Sequence, residues 1–420
     1  MPLAIDKEIR TPVKLPGPRF TIIEKLLSIL TFFLLIKSNI LFTSKPLFLI
    51  LELIFLTKNL LLILIPIESF LPVKLIIKKS FITTLFIIIF FHTSNSYSQK
   101  NIIEDYGLIS IMYHRFEENK YPSTNIKLND FISHLNLIKQ LNYKFIGHEE
   151  FNQTINQDNK QRKVLLTIDD GFLSFYKNAW PILKKEKIPF IIFINTETIG
   201  ANGYMNWNQI REISKFNFVH IGNHSHSHGY LVDKSDKEIL EDIKISKRIF
   251  KDKLNHETKF FAYPYGEYKN SYKKIIEDLG FLYAFGQHSG VIDKTKDKFE
   301  LPRFPINEKY GKQERFNNIL KSIAFPYKTI LPEEKYLDDN SNPPDVRIIF
   351  EEDANYKNIT CYSNEQNKWR KSELNFDKKN ELKIILGGKF TTERGRINCS
   401  LREETGDWRW LGIQFVIKNL

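Results

Sequence analysis

Cysteine is almost missing from this 420-residue chain, which contains only Cys361 and Cys399. No Cys-x-x-Cys occurs and neither cysteine lies near a histidine in the sequence, so a metal centre built on thiolates is not expected. The pair leaves two interpretations open. The cysteines form one disulfide that closes a loop of about forty residues, as suits an exported protein, or they are two buried thiols.

The chain also lacks a strong excess of positive charge outside its first 100 residues. The net charge is +12, but residues 1–100 hold 12 Lys/Arg and only 5 Asp/Glu, which leaves +5 for the remaining 320 residues. So small an excess does not make the concentrated basic surface that nucleic acid requires. We therefore expect no nucleic-acid partner, and no protein partner can be inferred.

Uninterrupted apolar runs are short even in the hydrophobic N-terminal region, residues 1–99. The best membrane span, 46–67, contains Glu52 and Lys58, each of which costs about 2.5–3.5 kcal/mol at mid-bilayer. Segment 75–98 instead has the basic start, short apolar core and small-residue end of a secretory signal peptide. Either translation begins near its start or the region is a membrane tether. Both alternatives predict export, to the periplasm or the cell surface.

From residue 100 to 326 the pattern alternates between strands and helices. Residues 164–168 are an apolar run that suits a buried parallel strand. Repeated alternation of this kind predicts an α/β domain whose parallel sheet is either open or closed as a barrel. The predicted strands are 108–112, 164–168, 189–194, 218–221, 259–262 and 283–285, and the predicted helices are 130–141, 175–187, 208–215, 235–254 and 271–279.

The last part of the chain has a different character. Residues 327–344 are rich in Pro, Asp and Asn and predict a linker. Residues 345–420 contain short strand patterns without helical periodicity, which predicts a small all-β accessory module. Trp408 and Trp410 in this module either stack on sugar rings or pack in its core.

Two acidic residues end the strand at 164–168. Asp169 and Asp170 would point to opposite faces of a continuing strand, so they can serve one pocket only if the strand stops there, and Gly171 permits that break. The alternative is an ordinary turn with a helix cap. Carboxylates at this end of a parallel strand lie where α/β enzymes place their catalytic residues.

Three histidines, at positions 224, 226 and 228, follow another predicted strand. His224 and His228 are spaced so that one helical turn brings both to a single ion. With one carboxylate they make a three-ligand set that leaves room for water and substrate, which is typical of a hydrolytic Zn²⁺ site. The second carboxylate is then free for proton transfer.

Three motifs resemble one family. Thr167–Gly171 (TIDDG), His224–His228 (HSHSH) and Tyr263–Gly266 (YPYG) are similar, in the same order, to the first three motifs of the polysaccharide deacetylases, the NodB-homology family of carbohydrate esterases. The resemblance covers roughly residues 105–325. It implies a distorted (β/α) barrel that removes N- or O-acetyl groups from amino sugars of chitin-like, cell-wall or exopolysaccharide chains.

The resemblance also implies roles for individual residues. Asp169 corresponds to the catalytic base, and the backbone N–H of Tyr265 to a donor that stabilises the oxyanion. Asp170, His224 and His228 correspond to the metal ligands.

This chain departs from the family pattern at two places. The arginine that often precedes the third motif is replaced by Ala262, so we expect Arg303 to orient the catalytic base instead. The family's general-acid histidine has no clear counterpart, and His288 is the candidate. His114 and Tyr265 are expected to line the substrate site, and Trp207 either lines it or packs beneath it.

The leading hypothesis is an exported, Zn²⁺-dependent deacetylase of acetylated amino-sugar polysaccharides. Two rivals remain open. One is a catalytically silent sugar-binding protein on the same fold, which Ala262 favours. The other is a related amidohydrolase of small cytosolic amides.

Overall fold

The computed structural model describes residues 105–351, 356 and 358–418. They belong to one compact unit, residues 99–420. The N-terminal region 1–99, with the signal-like segment 75–98, lies outside the described residues. Among the helices that are described, none has the length and apolar character needed to cross a bilayer.

The described part of the chain is built from short helices and many strands. The helices are α1 Leu128–Gln140, α2 His148–Ile155, α3 Trp180–Glu186, α4 Trp207–Ile213, α5 Asp236–Leu254, α6 Asn270–Asp278 and α7 Gln313–Leu320. The strands are β1 Leu108–Tyr113, β2 Arg115–Phe116, β3 Asn125–Ile126, β4 Lys144–Phe145, β5 Lys163–Ile168, β6 Phe190–Ile194, β7 Val219–Asn223, β8 Phe260–Ala262, β9 Tyr283–Phe285, β10 Val291–Ile292, β11 Phe304–Pro305, β12 Ser322–Ile323, β13 Thr329–Leu331, β14 Tyr336–Leu337, β15 Val346–Ile349, β16 Thr360–Ser363, β17 Arg370–Lys371, β18 Glu373–Lys378, β19 Glu381–Ile385, β20 Arg394–Arg402 and β21 Trp408–Ile417.

Six parallel strands curl into a distorted barrel in the order β1, β5, β6, β7, β8, β9. The following segment closes the ring. Leu301 bridges in parallel to Phe285 of β9, and Phe304 of β11 pairs in parallel with Ile111 of β1. The α/β barrel predicted from the sequence is confirmed.

Burial explains why these segments form a barrel with helices outside. Strands β5 and β6 are apolar and almost entirely buried, as expected of parallel strands covered on both faces. Helix α1 turns Phe131, Leu135 and Ile138 inward at helical spacing. Because the six strands are parallel, their carboxyl ends share one rim of the barrel, and the acidic and histidine motifs both follow strands there.

His134 of α1 is buried in its neutral form. Its Nδ1 lies 3.0 Å from the Tyr113 hydroxyl and its Nε2 lies 2.7 Å from the Gly311 carbonyl oxygen. The carbonyl can only accept, so Nε2 carries the proton and Nδ1 accepts from the tyrosine. Burial lowers the pKa of His134 from 6.5 to about 4.

We expect this histidine to make the fold acid-sensitive. The pKa of His134 is lower in the folded protein than in the unfolded chain, so below about pH 6.5 the unfolded chain binds a proton that the folded protein does not. The free energy of unfolding therefore falls by about 1.4 kcal/mol per pH unit down to about pH 4. Above about pH 6.5 the effect vanishes. Urea unfolding between pH 7 and 4.5 should show a shallower loss in His134→Gln than in wild type. Equal pH dependence in the two proteins would contradict this assignment.

The C-terminal strands form two sheets around a common core. One sheet has the order β12, β21, β20, β16, β17 and the other β13, β15, β19, β18. Val346 and Ile384 of one sheet and Ile397 and Phe415 of the other belong to the same buried cluster. This arrangement fits the predicted all-β module.

Two features of this region differ from, or go beyond, the sequence prediction. The predicted linker 327–344 supplies strands β13 and β14, and β14 pairs with β21. Prolines suggested an unpaired segment, but Ile330 and Leu337 are buried in the module core. Cys361 and Cys399 lie opposite each other on β16 and β20 and form a disulfide.

Candidate active site

Asp169 and Asp170 follow β5 directly, where the strand ends. The Asp169 N–H donates to the Tyr113 carbonyl oxygen at 2.9 Å, which extends the pairing with β1 by one residue. Asp170 and Gly171 then have φ values of 72° and 74°. Glycine adopts this conformation without strain, whereas a left-handed aspartate is uncommon. The break lets both carboxylates face the same rim of the barrel.

Arg303 holds Asp169 through two hydrogen bonds. Its Nη1 donates to Oδ1 at 2.7 Å and its Nη2 donates to Oδ2 at 2.9 Å, and both side chains are fully buried. Burial alone would raise the pKa of Asp169, but the charge and hydrogen bonds of Arg303 together with the neighbouring His224 and His114 outweigh burial, and the pKa lies below the usual 3.8. Asp169 is therefore ionised at neutral pH and fixed in orientation, although Ala262 contributes no charge.

The histidine segment after β7 is held by Asp242 of α5. The carboxylate of Asp242 accepts from the N–H groups of His226 at 2.7 Å and Ser227 at 3.0 Å. Within the segment, the hydroxyl of Ser225 accepts from the His228 N–H at 3.0 Å. These bonds satisfy backbone groups that have left the strand ladder, so the loop is fixed independently of any ligand.

The loop turns two of its three histidines toward Asp170. The rings of His224 and His228 lie 4.8 Å apart, measured between centroids. His224 Nδ1 lies 2.7 Å from the Ala262 carbonyl oxygen and must donate to it. His226 turns aside, and its Nδ1 lies 2.8 Å from Thr196 Oγ1.

Asp170, His224 and His228 converge on one point. Asp170 Oδ1 lies 3.4 Å from His224 Nε2 and 3.1 Å from His228 Nε2, and the three ligand atoms lie within 4.8 Å of one another. Asp170 Oδ1 and His224 Nε2 are buried without a hydrogen-bond partner. Because Nδ1 of His224 is the donor, its Nε2 presents a lone pair to the carboxylate. Two facing acceptors of this kind fit a divalent cation, and the donor set suits zinc.

His114 and His288 lie at the same rim. His114 Nε2 is 3.9 Å from Asp169 Oδ2, and burial lowers the pKa of His114, with Asp169 opposing. Burial also lowers the pKa of His288 to about 4, and its Nδ1 is buried without a partner. His288 is therefore neutral at neutral pH, which weakens the case for it as a general acid.

Tyr265 lies in the tight turn Pro264–Gly266, with a φ of 60°. Its ring is 4.8 Å from the ring of His228 and is stacked on Tyr230 at 4.3 Å. This conformation is uncommon for a tyrosine. It brings the backbone of the third motif beside the three converging side chains.

A cavity of about 560 Å³ opens over these groups. Asp170, His228, Tyr265, His114 and His288 all line it. It has the size expected of a small-ligand site.

The tryptophans divide between the cavity lining and other positions. Trp207 is absent from the cavity lining and packs against the barrel core at the start of α4; a partly buried position on an amphipathic helix explains this. Trp408 is likewise absent from the lining, whereas Trp410 lines the cavity and contacts Phe304 edge-on at 5.7 Å. The exposed Trp369 also lines the cavity.

The C-terminal module packs directly onto the loops of the rim. Gln414 Nε2 donates to the Gly266 carbonyl oxygen at 3.2 Å, and Arg394 Nε donates to Glu267 Oε1 at 2.6 Å. Leu411 bridges to Gly290, beyond His288. The module therefore helps to fix both the Tyr265 turn and the His288 loop.

Gly412 is needed for this contact. A Cβ atom at this position would lie 2.4 Å from the Ser289 carbonyl oxygen and 2.8 Å from the Ser289 nitrogen. Since both atoms belong to backbone, the loop would have to move.

We expect Gly412→Val to displace the His288 loop, lowering stability by about 1–3 kcal/mol and acetate release by about tenfold or more. Thermal unfolding and acetate release test this expectation. Ser400→Val, on the neighbouring strand β20, is the matched control. Unchanged unfolding and activity in Gly412→Val would show that the module does not position the loop.

Several residues of the site were not found from the sequence. Asp242 lies in the middle of a long amphipathic helix, where a carboxylate normally faces solvent. Arg394 and Gln414 lie on strands whose pairing the sequence does not reveal. Their one signal is alternation, since polar residues on β20 alternate with buried ones.

Comparison with known proteins matches the part of the chain that carries the acidic and histidine motifs. Residues 156–284 match the family model described as polysaccharide deacetylase. Residues 156–284 of this chain resemble a polysaccharide deacetylase domain. The match to the deacetylase model includes Asp169, Asp170, His224, His228 and Tyr265, and it ends before Arg303 and the C-terminal module. The family predicted from the three motifs is confirmed.

Relatives of the deacetylase domain are distant. The poly-beta-1,6-N-acetyl-D-glucosamine N-deacetylase of Staphylococcus aureus (strain MSSA476) is 24% identical over 228 residues, which cover 51% of this chain and 77% of that protein. Among solved structures, IcaB from Ammonifex degensii is 26% identical with a TM-score of 0.47, covering 50% of this chain and 97% of that one. The Streptococcus pyogenes deacetylase PplD in complex with acetate is 23% identical with a TM-score of 0.47, covering 51% and 98%.

Proposed function

We propose that this protein is an exported, metal-dependent hydrolase that removes acetyl groups from an amino-sugar polysaccharide. The observation that carries the proposal is the convergence of Asp170, His224 and His228 beside a second carboxylate, Asp169, that is held ionised by Arg303. A metal set with a separate base beside it supplies the two parts that amide hydrolysis requires. We assign residues 100–326 to the catalytic domain and 345–420 to the β module.

Asp170, His224 and His228 would hold the cation, with Zn²⁺ favoured by two imidazoles and one carboxylate. When bound, the cation supplies Lewis-acid polarisation of the acetyl carbonyl. The backbone N–H of Tyr265 donates to the oxygen of that carbonyl as it becomes negative. The strained turn at Tyr265 is the means of aiming this donor.

Asp169 takes the proton from the attacking water. Arg303 keeps Asp169 ionised and fixes its direction, so the carboxylate is ready to accept at neutral pH. Once protonated, the Asp169 carboxyl donates its proton readily because its pKa is low, and the leaving amine accepts that proton. His288, neutral with a pKa of about 4, then contacts the substrate without acting as the acid.

Two further observations support the cellular setting and the substrate class. The disulfide between Cys361 and Cys399 fits an oxidising compartment outside the cytosol. The named Staphylococcus aureus relative is an N-deacetylase of poly-β-1,6-N-acetyl-D-glucosamine, which makes an acetylated glucosamine polymer the first substrate to test. Residues 1–99 would provide the export signal or a membrane tether.

The test is acetate release from N-acetylated chito-oligomers and from poly-β-1,6-N-acetylglucosamine, with and without a chelator. We expect release that stops on chelation and returns on addition of Zn²⁺. Binding of these glycans without acetate release in the metal-loaded protein would favour the catalytically silent sugar-binding alternative.

A further inference from the structure

The wall of the cavity opposite the barrel comes from strands β20 and β21 of the C-terminal module. On β20 the odd-numbered residues from 395 to 401 are buried, so the even-numbered residues face outward. Arg396 pairs across with Gln414 and Asn398 with Gly412, and all four line the cavity. This wall lies outside the region that matches the deacetylase family.

Three arginines line the cavity, and two of them lack a carboxylate partner. Arg394 is neutralised by the buried Glu267. Arg396 is exposed, and neither it nor Arg315 has an ion-pair partner among the described residues. Arg315 donates only to backbone, to the Tyr310 carbonyl oxygen at 2.7 Å and the Pro305 carbonyl oxygen at 3.3 Å.

Within the described lining, Asp170 is the single carboxylate, and it belongs to the metal set. The cavity therefore keeps unneutralised positive charge even before a cation binds. Guanidinium groups form bidentate hydrogen bonds with carboxylates and phosphates. A glycan made only of amino sugars becomes cationic as acetyl groups are removed, and this wall would repel it.

Aromatic side chains flank the arginines in the manner of a sugar-binding surface. Trp369 is 53% exposed and Tyr310 is 43% exposed, and both line the cavity. The guanidinium of Arg394 lies 5.7 Å from the centre of the Tyr265 ring. Arg396 is two residues farther along the strand, about 7 Å away, so a group bound there would belong to a neighbouring part of the same glycan.

We propose that the β20–β21 wall is a subsite for an acidic sugar, so that the natural substrate carries a carboxylate or phosphate close to the acetylated residue. The identity of the reaction rests on the proposed deacetylase function. The preference of the wall for an anionic sugar does not rest on that function, because binding can be measured without turnover.

The test is calorimetric binding to the full, chelator-treated protein, in which turnover plays no part. The probes are tetra-acetylated chitotetraose, the same oligomer carrying phosphate esters, and a hyaluronan tetrasaccharide, whose uronates carry carboxylates. We expect at least one acidic probe to bind about tenfold more tightly than the neutral one, as one charge-assisted hydrogen-bonding pair would give. Which acidic probe is preferred distinguishes carboxylate from phosphate.

Substitutions locate the effect. Arg396→Gln should remove the preference for the acidic probe and leave the affinity for the neutral probe within about twofold. Arg315→Gln is a second variant with the same expected result, for use if Arg396→Gln disturbs folding. Arg402→Gln is the matched control, because Arg402 is exposed on the same strand, lies 5.7 Å from the Trp408 ring centre and does not line the cavity. Equal affinity for neutral and acidic probes, or a preference that survives both substitutions, would overturn the proposal. Acidic-glycan binding together with no acetate release from the metal-loaded protein would count against the deacetylase function alone.

Discussion

Arg303→Gln is expected to lower the free energy of unfolding by about 3–5 kcal/mol, because it leaves the buried carboxylate of Asp169 without its counter-charge. Acetate release should fall by about 10²–10⁴-fold, since Asp169, the proposed base, loses the group that favours its ionised form and fixes its direction. Without Arg303, burial is opposed only by the weaker effects of His224 and His114, so the pKa of Asp169 rises. The acid limb of the pH–activity profile should therefore move to higher pH.

Stability has the opposite pH dependence in the two proteins. In wild type the pKa of Asp169 is depressed, so its ionised form stabilises the fold above about pH 4, and this stability is lost as the pH falls. In Arg303→Gln the pKa of Asp169 is raised, so its ionised form destabilises the fold. Lowering the pH protonates the carboxylate and relieves this destabilisation. The double variant Arg303→Gln with Asp169→Asn should recover part of the stability but no activity. A pH profile unchanged in Arg303→Gln would show that Asp169 is not the base.

Asp169→Asn and His228→Ala should separate the two carboxylates. We expect Asp169→Asn to retain the metal and to lose turnover by about 10²–10⁴-fold, because only the proton acceptor is removed. His228→Ala should lose both metal and turnover, because one of three ligands is missing. Metal content after dialysis and acetate release measure the two effects.

His226→Ala is the control for this comparison. His226 belongs to the same motif but turns toward Thr196, so its metal content should match wild type. Equal metal loss in Asp169→Asn and His228→Ala would mean that the roles of Asp169 and Asp170 have been exchanged.

The barrel half of the molecule could be predicted from the sequence because its signals are local. Apolar runs marked β5, β6 and β7, and parallel strands place their carboxyl ends on one rim. The sequence therefore predicts that Asp170, His224 and His228 share one site. It also predicts that Arg303 takes the place of the arginine missing at Ala262, and Arg303 is the residue that contacts Asp169.

The module's contribution could not be predicted, since it depends on which strands pair and how the sheets dock. Arg394 and Arg396 look like ordinary polar positions of an exposed strand face. Gly412 looks like a weak point in a strand, yet it lies where the backbone of Ser289 approaches most closely. Tyr336 and Leu337 lie between the prolines of an apparent linker, and only the pairing with β21 makes them a strand.

The most direct measurement is an anomalous difference map from a crystal of the zinc-loaded protein, recorded at the zinc absorption edge. One peak is predicted, at about 2.0–2.2 Å from an oxygen of Asp170 and from Nε2 of His224 and His228, with Asp169 still bound to Arg303 and outside ligand distance. A zinc ion coordinated through Asp169, or one bound away from these three side chains, would contradict the account.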